Sequence, residues 1–119
     1  MDDAKDLFQQ AANCYKLSKN WDLAVNSNMR CVECAPDEDG EQAGYYLEAA
    51  HCIKNVNTNK FLEYSKVAID KFCISARISQ AASLAKEVAE KLEEDHDYEE
   101  ALIFYEKAAE LYFTDETPT

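Results

Sequence analysis

Apolar and polar residues alternate along this chain with the 3.6-residue period of α-helices, and no stretch shows the two-residue period of a strand. In the first stretch, Leu7, Ala11, Cys14 and Tyr15 share one helical face, and aspartates precede it, as helix N-termini favour. The pattern predicts helices over residues 3–17, 21–34, 41–54, 60–73, 79–94 and 98–112. Because the polar segments between them are short, neighbouring helices should pair as hairpins.

Polar residues at the starts of three of these helices are suited to capping. Asn57 or Thr58 is predicted to cap the fourth helix, and Ser79 the fifth. Asp97, followed three residues later by Glu100, has the form of a capping box before the sixth helix.

The three predicted hairpins share a pattern of mostly small residues at equivalent positions, with Phe61 as the exception. Positions 8, 20 and 27 are Ala12, Ala24 and Cys31 in the first copy, Ala49, Phe61 and Ala68 in the second, and Ala89, Ala101 and Ala108 in the third. Small residues there let antiparallel helices approach closely, as in tetratricopeptide-type repeats. We therefore predict an all-α, tetratricopeptide-like stack of about six helices. It forms one domain over residues 1–113, with a frayed end at 114–119.

The repeat is longer than the standard one. Equivalent residues Ala24, Phe61 and Ala101 give spacings of 37 and 40 residues (61 − 24 and 101 − 61). Standard tetratricopeptide repeats have about 34 residues. The helices of this chain, or the loops between its hairpins, should therefore be longer than usual.

The chain is acidic, with 24 Asp and Glu against 12 Lys and Arg and a formal net charge of −12. Binding to nucleic acid irrespective of sequence needs a basic face, so we expect no nucleic-acid partner. Five cysteines, an odd number, fall mostly on faces predicted to be buried. With no signal-peptide pattern and no long apolar run, free thiols in the cytosol are the expectation.

The sequence contains only weak signals for a catalytic or metal-binding site. Cys31 and Cys34 form a Cys-x-x-Cys pair, but no second pair completes a zinc site, so we predict buried structural thiols. His96 lies among acidic residues on a turn, where solvation and capping account for the composition. The acidic run 37–41 lacks the spacing of a calcium loop. His51 has no partners for a catalytic triad nearby in sequence. We predict no enzyme activity, no metal and no cofactor.

The tyrosines are predicted to pack in the core rather than to form a binding stripe, because Tyr15, Tyr98 and Tyr105 occupy core positions of the repeat. Leu111, Tyr112 and Phe113 differ, since in this chain no further hairpin follows to cover them. We expect an exposed apolar end there and self-association through it.

Three segments carry a resemblance to a known family. They are AANCYKLSKNW at 11–21, AAHCIK at 49–54 and DYEEALIFYE at 97–106. In order and spacing they resemble the alpha/beta type of the soluble NSF attachment proteins. The resemblance implies a cytoplasmic adaptor, peripheral to membranes, in vesicle-mediated transport such as that between ER and Golgi. Such an adaptor binds the SNARE four-helix bundle on a concave face for disassembly by the ATPase NSF.

Basic residues on that concave face carry the family's SNARE contacts, and the resemblance places three of them at Lys19, Lys54 and Arg77. A further basic position falls on Ser83, a departure for which Lys86, about one turn further on, is a candidate substitute. The alternative for each is a solvated cation at a helix end, where the helix dipole favours positive charge.

The resemblance covers less than half of the family's usual length. In the family, the ATPase-contacting segment is C-terminal, and an apolar lipid-contacting loop precedes the first hairpin. We therefore expect this chain to hold part of a SNARE bundle without recruiting NSF.

A rival hypothesis is a tetratricopeptide clamp that grips the acidic tail of a chaperone. Such a clamp places Asn where this chain has Gln10, and its partner-binding basic residues are absent from the matching helices. The sequence disfavours this alternative.

Overall fold

The structure, a computed structural model, describes residues 2–35 and 38–116. Within these ranges it contains six α-helices and no strand, so the all-α fold class is confirmed. The helices are α1 (Asp2–Leu17), α2 (Trp21–Glu33), α3 (Asp39–Ile53), α4 (Thr58–Ile74), α5 (Ile78–Glu94) and α6 (Tyr98–Glu116). None of the helices in the described part of the chain combines the length and apolar character that a bilayer crossing requires.

Each helix packs against its neighbours in sequence, which produces a thin, open stack. The hairpins are α1–α2, α3–α4 and α5–α6, and further contacts join α2 to α3 and α4 to α5. The stack measures 40 × 36 × 17 Å. Because a helix with side chains is about 10 Å across, 17 Å corresponds to two helical layers. One layer holds the first helices of the hairpins, α1, α3 and α5, and the other holds α2, α4 and α6.

The core follows the repeat pattern. All nine residues at repeat positions 8, 20 and 27 have an exposed fraction of 5% or less. Alanines at these sites let α3, α4 and α5 approach closely, and larger side chains fill the remaining space. The largest fully buried side chains include Phe61, Phe72, Ile53, Ile69 and Leu92. Burying each of them contributes about 1.5–3 kcal/mol relative to exposure.

Three of the turns have the same backbone geometry. Lys19, Ala76 and His96 lie in the left-handed region with φ of 63°, 62° and 64°. In each turn the next amide donates back to a carbonyl in the last turn of the preceding helix. The Asn20 amide bonds to the Tyr15 carbonyl, and the other two pairs are Arg77 to Phe72 and Asp97 to Leu92. These are Schellman C-caps without glycine, and each leads directly into the next helix.

The capping predictions are partly right. Asn57 caps α4, because its side chain accepts a hydrogen bond from the Lys60 amide at 3.1 Å. Before α6 the Glu100 amide donates to the Asp97 carboxylate at 3.5 Å. The prediction for Ser79 is wrong. The α5 helix begins at Ile78 with Arg77 as its N-cap, since the Ala81 amide already bonds to the Arg77 carbonyl.

Two helix ends also differ from prediction. The α3 helix begins at Asp39, so Asp39 and Gly40 are helical rather than part of the acidic break; Pro36 and Asp37 lie outside the described residues. The α6 helix continues past Tyr112 to Glu116. A frayed end at 114–119 stays a prediction: residues 114–116 are helical here, and 117–119 lie outside the described residues.

Some residues predicted to be buried are exposed. Leu7 and Tyr98 have exposed fractions of 65% and 60%, and Cys14 and Cys34 are exposed as well. The positions of these residues in the stack explain their exposure. The α1 helix lies at the edge of the described stack and buries only a narrow face, which is centred on Ala12. Tyr98 begins α6 and contacts the ring of His96 instead of the core.

Candidate functional site

Lys19 is presented at the tip of the first hairpin. Its left-handed backbone closes the Schellman cap of α1, and its side chain is exposed. It lines a shallow groove together with Trp21, Leu23 and Val56, the last from the turn after α3. The predicted contact residue therefore lies where a partner can reach it, next to apolar side chains.

Lys54 is the C-cap residue of α3 and is paired within the protein. Its ammonium lies 3.3 Å from a carboxylate oxygen of Glu87 on α5 and 5.7 Å from the centroid of the Phe61 ring. The Nε2 atom of His51 lies 3.0 Å from the same oxygen of Glu87. Because Glu87 supplies a counterion, Lys54 is less available to a partner than the sequence predicts.

Arg77 lies at the opposite end of the first-helix layer. It is exposed, it precedes α5, and its guanidinium packs against Gly40 at the start of α3, where an added Cβ would lie 3.3 Å from it. Among the described residues it has no carboxylate partner within ion-pair distance. Gly40 and Lys54 are 14 positions apart on α3, or about 21 Å along the axis. Arg77 and Lys54 therefore cannot form one compact site.

Ser83 and Lys86 lie in the exposed part of α5. The Ser83 hydroxyl is 3.0 Å from the hydroxyl of Tyr112 at the end of α6. Lys86 is exposed and immediately precedes Glu87, so it lies at the same level of the stack as Lys54. The structure thus places Lys86 next in sequence to the residue that contacts Lys54, and it leaves a neutral hydrogen-bonding pair at Ser83.

All four predicted contact residues belong to one layer. Lys19 follows α1, Lys54 follows α3, Arg77 precedes α5 and Lys86 lies within α5. The second helices of the hairpins contribute none of the four. The sequence repeat alone indicates this arrangement, because each residue lies on or beside a first helix.

Ion pairs hold the first helices of adjacent hairpins together. Lys5 of α1 lies 2.6 Å from Glu41 of α3, and the Tyr45 hydroxyl donates to the same carboxylate at 3.1 Å. The hydrogen bond from Lys5 holds the pKa of Glu41 below its ordinary value of 4.5. Burial, with Glu41 next to it, raises the pKa of Tyr45 to about 12. A second pair joins Lys16 to Glu48 at 3.8 Å.

Sequence reasoning missed one feature, a groove between α3, α5 and the end of α6. Leu47 and Leu84 are its apolar lining, and polar lining residues include Gln80, Ser83, Glu87 and Tyr112. The cavity has a volume of about 410 Å³. Exposed polar residues recur on α5 with a heptad-like spacing, and this pattern indicates one wall of the groove. The other walls come from helices far apart in sequence, so no local pattern indicates them.

The cysteines are separate thiols. Cys31 and Cys52 are buried, and burial raises the pKa of both above the ordinary 9.0. A raised pKa lowers the fraction of reactive thiolate. Cys34, predicted to be buried with Cys31, is exposed at the end of α2. Across residues 2–35 and 38–116, no three histidine, cysteine or acidic side chains are grouped so as to hold a metal ion.

Comparisons of the sequence with known proteins give matches to one family. Residues 1–119 match the protein family described as "Soluble NSF attachment protein, SNAP". The chain is 34% identical to an alpha-soluble NSF attachment protein of Vitis vinifera, covering 99% of this chain and 42% of that protein. It is 34% identical to the Saccharomyces cerevisiae protein of that name, covering 98% and 41%. Against a beta-soluble NSF attachment protein of Bos taurus the identity is 25%, covering 98% and 40%. The chain thus spans about two fifths of the length of these relatives.

Proposed function

Because the chain belongs to the soluble NSF attachment protein family, we propose that it supplies a SNARE-binding part of such an adaptor. Its first-helix layer, formed by α1, α3 and α5, is the surface that receives the SNARE four-helix bundle. The proposal includes no catalytic step. Its setting is vesicle-mediated transport, at the cytoplasmic surface of membranes to which the adaptor associates peripherally.

The observation that supports the proposal is the placement of Lys19, Lys54, Arg77 and Lys86 on or beside the first helices. The chain carries twice as many acidic as basic residues, 24 against 12, and these four cations are distributed along the layer rather than concentrated at one point. At about 1.5 Å per helical residue, the four cations extend over more than 20 Å of that layer. They therefore suit a rod-shaped acidic partner better than a single compact ligand.

Exposed cations of this kind determine orientation and association rate more than final affinity. Screening by salt weakens them further, since the Debye length is about 8 Å at physiological ionic strength. Weak, salt-sensitive binding suits an adaptor that is released after its partner is taken apart.

Binding to an assembled SNARE four-helix bundle tests the proposal. We expect the Lys19→Ala, Lys54→Ala, Arg77→Ala triple variant to bind more weakly than the parent chain, with a shallower salt dependence. The matched control is Lys60→Ala, Lys66→Ala, Lys107→Ala, which removes the same charge from exposed positions of α4 and α6. If the two triple variants bind alike, the assignment of residues is wrong; if the parent does not bind, the proposed function is wrong.

A further inference from the structure

The groove between α3, α5 and the end of α6, here the α3–α5–α6 groove, opens between two helices of the layer proposed to receive the SNARE bundle, α3 and α5. Its middle is neutral, with the Ser83 and Tyr112 hydroxyls 3.0 Å apart. Among the described residues that line the groove, the only ion-paired cluster lies at one end. It consists of His51 and Glu87, with Lys54 beside them. The character of the groove is therefore set at that end.

Glu87 is held by two donors from α3. One of its carboxylate oxygens lies 3.0 Å from His51 Nε2 and 3.3 Å from Lys54 Nζ. The side chains of Lys54 and Glu87 are each 29% exposed, and that of His51 is 37% exposed. The cluster is thus accessible to a partner, and its geometry is too open for the pair to be part of the core.

The position of Glu87 has a consequence for an acidic partner. A carboxylate that approaches the Lys54 ammonium from outside meets the Glu87 carboxylate already within ion-pair distance of it. Like charges at that separation repel each other even in bulk water. Binding at Lys54 is therefore opposed by a carboxylate already in place, in contrast to Lys86 and Arg77, which have no ion pair among the described residues.

We propose that Glu87 is the residue that determines the specificity of the α3–α5–α6 groove, as an internal counterion of Lys54. An acidic partner that contacts Lys54 must compete with Glu87 for its ammonium, whereas a neutral, hydrogen-bonding partner segment fits the groove as it stands. This inference rests on the proposed function, in that the partner is taken to be the SNARE bundle. The assignment of this role to Glu87 rests on its contacts with His51 and Lys54, which join α5 to α3.

The first experiment compares Glu87→Gln with Glu90→Gln in binding to the assembled SNARE bundle. Both changes remove one negative charge from α5, and Glu90 is exposed without an ion pair among the described residues. From the typical strength of exposed ion pairs, we expect Glu87→Gln to tighten binding about two- to five-fold and Glu90→Gln less than about two-fold. The Lys54→Gln, Glu87→Gln double variant should lose the gain.

Equal gains from Glu87→Gln and Glu90→Gln would show an effect of net charge alone and would overturn the inference. Weaker binding by Glu87→Gln would also overturn it, because Glu87 would then hold Lys54 in place for the partner. Circular dichroism of each variant confirms that the helices are intact.

A second experiment separates this inference from the proposed function. A polyglutamate peptide at low ionic strength replaces the bundle, and the side-chain carboxyl ¹³C resonance of Glu87 is followed by NMR. We expect it to move towards its position in the Lys54→Gln variant as the peptide binds, with the same order of affinities among variants. If the Glu87 resonance moves in this way but neither the parent nor any variant binds the SNARE bundle, the inference is supported and the proposed function is refuted. A Glu87 resonance that does not move, or no peptide binding even by Glu87→Gln, would overturn the inference.

Discussion

At the scale of single residues, the hydroxyl of Ser65 is a polar group that the core does not satisfy. Ser65 lies in α4 with an exposed fraction of 0%, and its Oγ has no hydrogen-bond partner among the described residues. A buried hydroxyl without a partner costs about 1–3 kcal/mol. Ser65 is therefore a local weakness in the core.

We expect Ser65→Ala to raise the free energy of unfolding by about 1 kcal/mol, because it removes the unsatisfied hydroxyl and improves helix propensity. Urea unfolding followed by circular dichroism measures the change. The control is Ser75→Ala, since the Ser75 hydroxyl donates to the Lys71 carbonyl at 2.9 Å and its removal should give no gain. A Ser65→Ala protein less stable than the parent would contradict the prediction.

The Lys5–Glu41 pair predicts a dependence of stability on pH. The pKa of Glu41 in the folded protein is below its ordinary value of 4.5, so the pair stabilises the fold at neutral pH. That contribution is lost as the pH falls below about 4.5 and Glu41 becomes protonated. The Glu41 side chain is 36% exposed, so the contribution should be only about 0.2–1 kcal/mol.

Glu41→Gln should therefore lower the free energy of unfolding at neutral pH, and the difference from the parent should disappear in acid. Urea unfolding at neutral pH and at a pH well below 4.5 gives both values. Glu106→Gln, a change at an exposed position of α6, should leave the neutral-pH value nearly unaltered. A Glu41→Gln difference that persists in acid would show that the pair acts by packing rather than by charge.

At the scale of helices and turns, the shared C-cap geometry explains how the stack stays regular. Lys19, Ala76 and His96 each adopt a left-handed backbone that glycine adopts at least cost. The chain has only two glycines, both in α3, so none is at these turns. A left-handed residue with a Cβ costs about 1–2 kcal/mol, which the following helix must offset.

Ala76→Gly should stabilise the protein by about 0.5–1 kcal/mol, because relief of the left-handed backbone exceeds the entropy that glycine adds to the unfolded chain. Ala109→Gly, at an exposed position inside α6, should instead destabilise it by about 1 kcal/mol. Thermal unfolding of the two variants gives opposite shifts if the turn geometry is right. Shifts of the same sign would contradict it.

At the scale of the whole molecule, α6 exposes several large apolar side chains on its outer face. Leu102, Ile103 and Phe113 have exposed fractions of 57%, 56% and 71%. Leu111 and Tyr112, which the sequence placed at an exposed end, are half-buried: Leu111 packs against the core and Tyr112 bonds to Ser83. The surface proposed for self-association therefore moves from the end of α6 to its outer face.

We expect concentration-dependent self-association through this face, weakened by Leu102→Gln with Ile103→Gln. Sedimentation velocity over a range of concentrations measures it. The control is Leu7→Gln with Leu17→Gln, two exposed leucines of α1 with exposed fractions of 65% and 84%. A strict monomer at high concentration, or equal effects of the two double variants, would refute this prediction.

How far the sequence predicts the fold is clearest for the repeat residues. Ala12, Ala49 and Ala89 recur at one repeat position because the two helices of every hairpin approach closely there. A single sequence pattern therefore indicates three buried sites. The start of α5 was missed because Arg77 has no capping side chain to mark it. Tyr98 was misplaced because its repeat position is buried only when a neighbouring element covers it.

The sequence by itself determined the helices, their pairing into hairpins, the family and the residues of the candidate surface, because these depend on local periodicity and on motifs within short segments. Only the tertiary structure decided which candidate cations are available. Lys54 and Glu87 are 33 positions apart, and their ion pair forms because α3 and α5 lie side by side in the stack. Contacts of that kind depend on the relative placement of helices, which no pattern within a single helix contains.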